Sequence, residues 1–301
     1  MGKEKENAAL LRKSFETWHD TRGGSIDHWL QLFAEDVDFR SLAEGDNRLA
    51  FTKRRCARDE AAEYLHGLVA QLEMNEYRVD DYIAQGDRVV AIGSTAWTNR
   101  QTGKSFDTPK VDLVRFRDGQ ITEFFELYDT DQVMATSDPE GPMRKVPPNL
   151  PRWAAPHADD QTEDNETNVK ALKKIYAAWD ESKGTNTDIW LEIFADDVEM
   201  RSLADGAQGL EFSSYRKSKE EAAQYFAGLA ADWTMVYYSI DEYVAQNGRV
   251  VAIGNMEWQS NRTGTKMESP KVDCWRFEKG KVVAFLEFYD TAKAIAAANA
   301  A

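Results

Sequence analysis

The chain has 301 residues, 42% hydrophobic and 30% charged, with nine Trp and eleven Tyr, which excludes a disordered polymer and allows two ordinary cores. A formal net charge of −15 argues against a nucleic-acid partner, because phosphate tracking needs clustered Lys and Arg and the one dense cluster, Lys53, Arg54, Arg55 and Arg58, reads as a solvated loop. No run reaches the roughly 18 apolar residues of a membrane span, and the opening MGKEKEN lacks the apolar core of a signal peptide, so a cytoplasmic setting is the expectation.

In chain order, Leu11, Phe15 and Trp18 recur at helical spacing over residues 7–20. A short helix follows, with Ile26, Trp29, Leu30 and Phe33 on one face, and then a brief strand at Phe39–Leu42. Arg58–Leu72 predicts a third helix with Ala61, Leu65, Leu68 and Leu72 inward. The period then changes to two, giving strands near 76–84, 87–99, 105–117 and 120–129, with hairpins at NRQTGK and Asp118-Gly119. From about 132 to 166 the pattern breaks: Pro139, Pro142, Pro147, Pro148, Pro151, Pro156 and Gly141 lead into the acidic DDQTEDNET, the composition of an extended linker that Trp153 pins to a domain surface.

Everything before the linker then returns. At a shift of 161 residues the sequence lies on itself without a gap from Asn7/Asn168 to Thr130/Thr291. DHWLQLF from Asp27 lies over DIWLEIF from Asp188, YIAQGDRVVAIG from Tyr82 over YVAQNGRVVAIG from Tyr243, and FFELYDT from Phe124 over FLEFYDT from Phe285. Cys56 and Cys274 fall at non-equivalent places and read as two free thiols. The division is therefore residues 7–133, a linker over 134–166, and residues 167–297. Helices followed by antiparallel strands make each copy α+β. In the last two strands Phe124, Glu126 and Tyr128 share one face while Phe125 and Leu127 share the other; Asp112, Val114 and Phe116 alternate with Val111 and Leu113. Both faces are largely apolar and call for cover, the helices on one side and the sister repeat on the other, as an intramolecular pseudo-two-fold pair in a monomeric chain.

The order of helices and sheet, with LFAEDVDF and VRFRDGQITEFFELYDT in one copy and IFADDVEM and WRFEKGKVVAFLEFYDT in the other, resembles the SnoaL-like and ketosteroid-isomerase-like proteins of the nuclear-transport-factor-like superfamily. The resemblance implies, in both copies, a cone: three helices packed on a curved, mostly antiparallel sheet around a pocket. It implies less about the reaction, because this cone hosts isomerases, dehydratases, cyclases, epoxide hydrolases and non-catalytic binders. The ketosteroid-isomerase base falls at Ser41 and Ser202, and its helical oxyanion Tyr near Ser14 and Ile175; its strand acid is retained as Asp112 and Asp273. The late-strand carboxylate of the limonene-epoxide-hydrolase-like branch is matched by Glu126 and Glu287, whereas Trp97 and Trp258 stand about where its Arg and Asp would be.

Two carboxylate pairs thus remain on the implied pocket face: Asp112 with Glu126, and Asp273 with Glu287. In an apolar stripe a carboxyl group is harder to ionise, so one of a pair can stay protonated while the other acts as a base. The alternative is that each carboxylate is hydrogen-bonded to a Tyr or Trp and ties helix to sheet. Tyr128 and Tyr289 are candidate donors to a substrate oxygen. Trp97, Trp258, Tyr64, Tyr225, Trp18 and Trp179, with Ser41 and Ser202, shape the pocket. Arg40 and Arg201 turn outward, to a salt bridge at a domain interface, and Lys110 and Lys271, each after a Pro at a strand start, read as solvated. No nucleophile motif, phosphate-binding Gly loop or metal-ligand spacing occurs, so no metal or nucleotide cofactor is expected. The expected activity is cofactor-independent acid–base catalysis of isomerase, dehydratase or cyclase type on a small hydrophobic or aromatic molecule; the alternative is non-catalytic binding of such a ligand. Thr95, Val114 and Leu72 become Met256, Trp275 and Trp233, which predicts a smaller or closed pocket in the second copy.

Overall fold

The computed structural model describes residues 2–147, 150–155 and 164–300. These fall into two compact units divided near residue 145, with the short stretch 151–155 belonging to the first. Pro148, Pro156 and the acidic residues 159–163 of the expected linker lie outside the described residues. The first unit runs α1 (Lys3–Asp20), α2 (Ile26–Leu32), β1 (Phe33–Ser41), α3 (Arg58–Gln71), β2 (Leu72–Gln85), β3 (Arg88–Asn99), β4 (Ser105–Arg117), β5 (Gln120–Tyr128) and α4 (Thr130–Ala135). The second repeats it as α5 (Asn165–Glu181), α6 (Asp188–Leu191), β6 (Phe194–Ser202), α7 (Lys219–Asp232), β7 (Trp233–Gln246), β8 (Arg249–Ser260), β9 (Lys266–Glu278), β10 (Lys281–Phe288) and α8 (Thr291–Asn299).

Each unit holds a five-stranded sheet, in the orders β1-β5-β4-β3-β2 and β6-β10-β9-β8-β7. Four strands form an antiparallel meander, and β1 and β6 join the far edge in parallel with β5 and β10. Tight turns set the meander register. Asp118 and Gly119 both have positive φ (52° and 81°), as do Lys279 and Gly280, the backbone of a two-residue hairpin whose twist matches the strands.

Curvature has a local cause. The β2–β3 pairing slips twice, between Met74 and Glu76 and between Val79 and Asp81, and bulges of this kind bend a strand. At the second slip Gly93 comes so close to β2 that an added Cβ would lie 1.9 Å from the Arg78 carbonyl oxygen; Gly254 repeats this at 1.8 Å from that of Ser239. Only a residue without a side chain permits the bend. The concave face then closes on aromatic residues from the helices. In the first unit Phe15, Trp29 and Phe124 pack with ring centroids 5.1–6.4 Å apart.

Two features differ from the sequence expectation. β1 begins at Phe33, already paired with Ile121, rather than at Phe39. The motif YDT starts a further helix in each copy, where Asp129 and Asp290 cap the orphan amides of Gln132 and Lys293. Arg40 bridges within its own sheet, to Glu123 at 2.7 Å and Asp38 at 3.2 Å. Trp153 docks as anticipated: its indole is buried and donates to Asp81 at 3.0 Å. Among the described residues no helix is long and apolar enough to cross a membrane.

Candidate functional site

Strand alternation carries Lys110 and Asp112 of β4 to the concave face, and the β4–β5 register sets Asp112 opposite Glu126 and Lys110 opposite Tyr128. Two carboxylates facing each other across a sheet repel. Lys110 lies between them, its Nζ 2.6 Å from Asp112 Oδ1 and 2.9 Å from Glu126 Oε2. Its third proton goes to the Tyr77 hydroxyl at 2.7 Å, so all three ammonium donors are used. Tyr77, on β2, donates in turn to Asp112 Oδ2 at 2.7 Å, and Tyr64, on α3, donates to Glu126. Lys110, Asp112 and Glu126 are 6%, 2% and 8% exposed, so the reading of Lys110 as solvated is overturned.

The second unit repeats the triad. Lys271 contacts Asp273 at 3.0 Å and also Glu287, and it is 2% exposed, which overturns the same reading there. Tyr225 of α7 donates to Glu287 at 2.7 Å, as Tyr64 does to Glu126. The helical tyrosine sought near Ser14 and Ile175 occurs one residue later, at Tyr176, and in this copy only; Phe15 is its counterpart. Tyr176 and Tyr238 both donate to Asp273 Oδ2, each at 2.6 Å, and the Trp275 indole donates to the Tyr176 oxygen at 3.0 Å.

Burial dominates the electrostatics. It pushes the Asp112 and Asp273 carboxyl groups above the ordinary carboxylate range, against the pull of the adjacent ammonium and with help from the neighbouring Glu. For Lys110 and Lys271 burial pulls downward, but the two flanking carboxylates win and hold each amine above its ordinary value. The amines are therefore ammonium ions at neutral pH and are poor nucleophiles. Burial, reinforced by the nearest carboxylate, raises Tyr64, Tyr77, Tyr225 and Tyr238 well above their ordinary value, so these hydroxyls act as donors.

A cavity opens over each triad. In the first unit it has about 60 Å³, walled by Trp18, Trp97, Tyr64 and their neighbours, with Lys110, Glu126 and Tyr128 at its polar end. In the second it has about 80 Å³, walled by Trp179, Trp258 and Tyr225, with Lys271, Asp273, Glu287 and Tyr289 at the polar end. The expectation that the second would be smaller or closed is thus overturned. Trp275 stacks on Trp190 at 5.2 Å and packs on Phe285 at 4.2 Å, which uses its bulk in the wall. Ser41 and Ser202 do not line the cavities. They sit buried behind Tyr128 and Tyr289 and share hydrogen bonds with those hydroxyls at 2.7 and 3.0 Å. Asp112 likewise lies beneath Lys110 and outside the cavity wall.

Sequence reasoning therefore located both carboxylate pairs and most of the aromatic wall. It missed Lys110, Lys271, Tyr77 and Tyr238. The signal for the lysines was available, since Lys110 and Lys271 stand two residues before Asp112 and Asp273 and must share their face.

The sequence matches no curated protein. Similar solved structures include an NTF2-like protein from Burkholderia xenovorans LB400, at 21% identity over 45% of this chain and 98% of that one, with a TM-score of 0.39. Another is an NTF2-like protein of unknown function from Burkholderia pseudomallei K96243, at 22% identity over 44% and 98%, with a TM-score of 0.39. A third is a hypothetical protein with a ketosteroid isomerase-like fold from Catenulispora acidiphila DSM 44928, in complex with trimethylamine, at 15% identity over 43% and 92%, with a TM-score of 0.36. The profile of the SnoaL-like domain matches residues 11–124 and again residues 172–285, and the chain belongs to that family as a tandem pair of SnoaL-like domains.

Proposed function

We propose that the protein is a cofactor-independent acid–base catalyst acting on a compact hydrophobic or aromatic molecule that carries a carbonyl group. One observation carries this reading: in both repeats a buried ammonium ion bridges two carboxylates at the polar end of an aromatic cavity. Glu126 and Glu287 face the cavity and act as the base toward a C–H beside the carbonyl. Lys110 and Lys271 hold positive charge where the carbonyl oxygen becomes negative, a preorganised stabilisation that strengthens away from water. Tyr64 and Tyr225 fix the glutamates. Tyr128 and Tyr289, backed by Ser41 and Ser202, orient the substrate oxygen.

Cavity size limits the substrate. A dry cavity of about 150 Å³ accepts benzene, so cavities of about 60 and 80 Å³ must widen roughly twofold for an aromatic ring. The test is proton–deuterium exchange beside the carbonyl in a panel of small aryl and alkyl ketones, followed by NMR in D2O. The expected result is accelerated exchange that is lost in the Glu126→Gln/Glu287→Gln double variant.

A second reading, a non-catalytic binding site, is favoured by the hydrogen-bond saturation of Lys110 in the resting site. Quenching of tryptophan fluorescence by the same ketones with no acceleration of exchange would establish binding and reject catalysis.

A further inference from the structure

The two cavities use equivalent positions for their walls but differ in how firmly those walls are held. In the first repeat Trp97 is pinned. Its indole N–H donates to the Thr95 hydroxyl, and that hydroxyl donates in turn to the Glu76 carbonyl at 3.2 Å. In the same wall Phe39 lies flat against Phe124, with centroids 4.8 Å apart and planes at 2°, and tilts onto Tyr64 at 4.5 Å. In the second repeat Phe39, Thr95 and Phe106 become Met200, Met256 and Met267, and each of these residues lines the cavity of its own repeat.

Met256 has no hydroxyl to offer, and among the described residues the Trp258 indole makes no hydrogen bond. Trp258 leans elsewhere. A Cβ added at Gly184 would lie 3.0 Å from Trp258 Cη2, whereas the nearest neighbours of one added at Gly23, the equivalent glycine, are atoms of Val69, at 2.9 Å, and Trp18. Val69 becomes Ala230, so the ring edge of Trp258 takes the place that Val69 fills in the first repeat. Methionine adds to this freedom. It is unbranched, turns about three side-chain bonds and fills irregular gaps, while a stacked Phe yields only by losing its ring contacts. The resting volumes, about 60 Å³ in the first repeat and about 80 Å³ in the second, run in the same direction.

We propose, as a deepening of the reading of both cavities as ketone sites and resting on it, that the two repeats sort ligands by size. The first takes a ketone with a single aromatic ring, and the second takes in addition a ketone with two fused rings, by displacement of Trp258 and the three methionines. Both cavities must widen for one ring. A second fused ring requires the wall itself to give way, and in the first repeat that breaks the Trp97–Thr95 hydrogen bond and the Phe39–Phe124 stack. Thr95 and Met256 set the difference. Thr95 is a positioning residue that acts through Trp97, and Met256 leaves Trp258 without that restraint. The inference concerns binding and holds whether or not a bound ketone turns over.

The indole N–H resonances of the full chain, isotope-labelled at tryptophan, report on each cavity separately. Trp97 and Trp258 are assigned from Trp97→Phe and Trp258→Phe, or from the one indole that each substitution at Thr95 or Met256 moves. Without ligand, the pinned Trp97 proton is expected to exchange with D2O more slowly than that of Trp258. Acetophenone is expected to shift both resonances. Methyl naphthyl ketone is expected to shift Trp258 at a concentration about tenfold or more below that needed for Trp97. Thr95→Val keeps the shape but removes the hydroxyl, so it is expected to speed Trp97 exchange and strengthen naphthyl binding in the first cavity. Thr95→Ser keeps the hydroxyl and is expected to retain the wild-type preference, a rescue that a packing role alone would not give. Met256→Thr is expected to weaken naphthyl binding in the second cavity while acetophenone binding stays within about twofold. Equal naphthyl affinity at the two indoles, or identical behaviour of Thr95→Val and Thr95→Ser, overturns the sorting by size and leaves the ketone-site reading standing. No shift of either indole with either ketone overturns both.

Discussion

Asp112 and Glu126 face each other across neighbouring strands, and the arrangement is tolerable because Lys110 separates their charges. Removing the cation is far more damaging than removing one anion. Lys110→Met leaves two buried carboxylates without a counter-charge and is expected to lower stability by about 3–5 kcal/mol. Glu126→Gln leaves a neutral Lys–Asp pair and is expected to change it by about 1 kcal/mol; paired denaturant titrations check the contrast. The pH dependence has a definite sign. Lys110 is raised on folding, so its stabilisation is present below the ordinary value of 10.5 and lost as pH rises through the folded value. Asp112 is also raised, so the penalty for ionising it is absent below 3.8 and complete above its folded value. The deficit of Lys110→Met is therefore expected to shrink as pH falls from 8 toward 4.5, because the orphaned Asp112, already raised by burial, can protonate. A deficit independent of pH over that range would rule out charge as its origin. Lys110 was legible only through its two-residue spacing from Asp112, and its place after Pro109 concealed this by suggesting a solvated strand end. Ser41 was misplaced for a different reason: alternation gave its face correctly but could not show that the Tyr128 ring stands in front of it.

The helices and the meander could be read from periodicity because their signals are local. β1 was harder, since its parallel pairing with β5 joins residues far apart in sequence and the segment between them gives no hint of register. Curvature was also out of reach, although Gly93 and Gly254 lie inside the most obvious repeated motif. Their importance depends on a bulge in the facing strand that composition does not reveal. Gly93→Ala would drive a methyl group into the Arg78 carbonyl, and an expected destabilisation of about 3 kcal/mol follows from forced backbone displacement. Thermal unfolding of that variant beside Gly2→Ala is informative, because nothing lies within 4 Å of the latter Cβ and it is expected to be the milder. At the cap of α8, Asp290→Ala loses the acceptor for the Lys293 amide and is expected to cost about 1 kcal/mol. Ala294 of that helix lines the second cavity, so fraying is expected to appear as weaker ketone binding there.

At the scale of the whole molecule the duplication gives each repeat its own sheet, cavity and charged triad. Gly93→Ala is accordingly expected to lower one calorimetric transition and Gly254→Ala the other, because each core contains its own crossing glycine. Light scattering decides what covers the apolar second face of the late strands: a single chain mass, 34.2 kDa, is expected if the cover lies within the chain, and a doubled mass would place it in another molecule. Trp153 adds a constraint of a different kind. It lies beyond the last helix of the first repeat, yet its indole is buried against Asp81 of β2. As the polypeptide leaves the ribosome, the strands of the first unit emerge before residue 153, so this contact on Asp81 is added only once the connecting segment has followed.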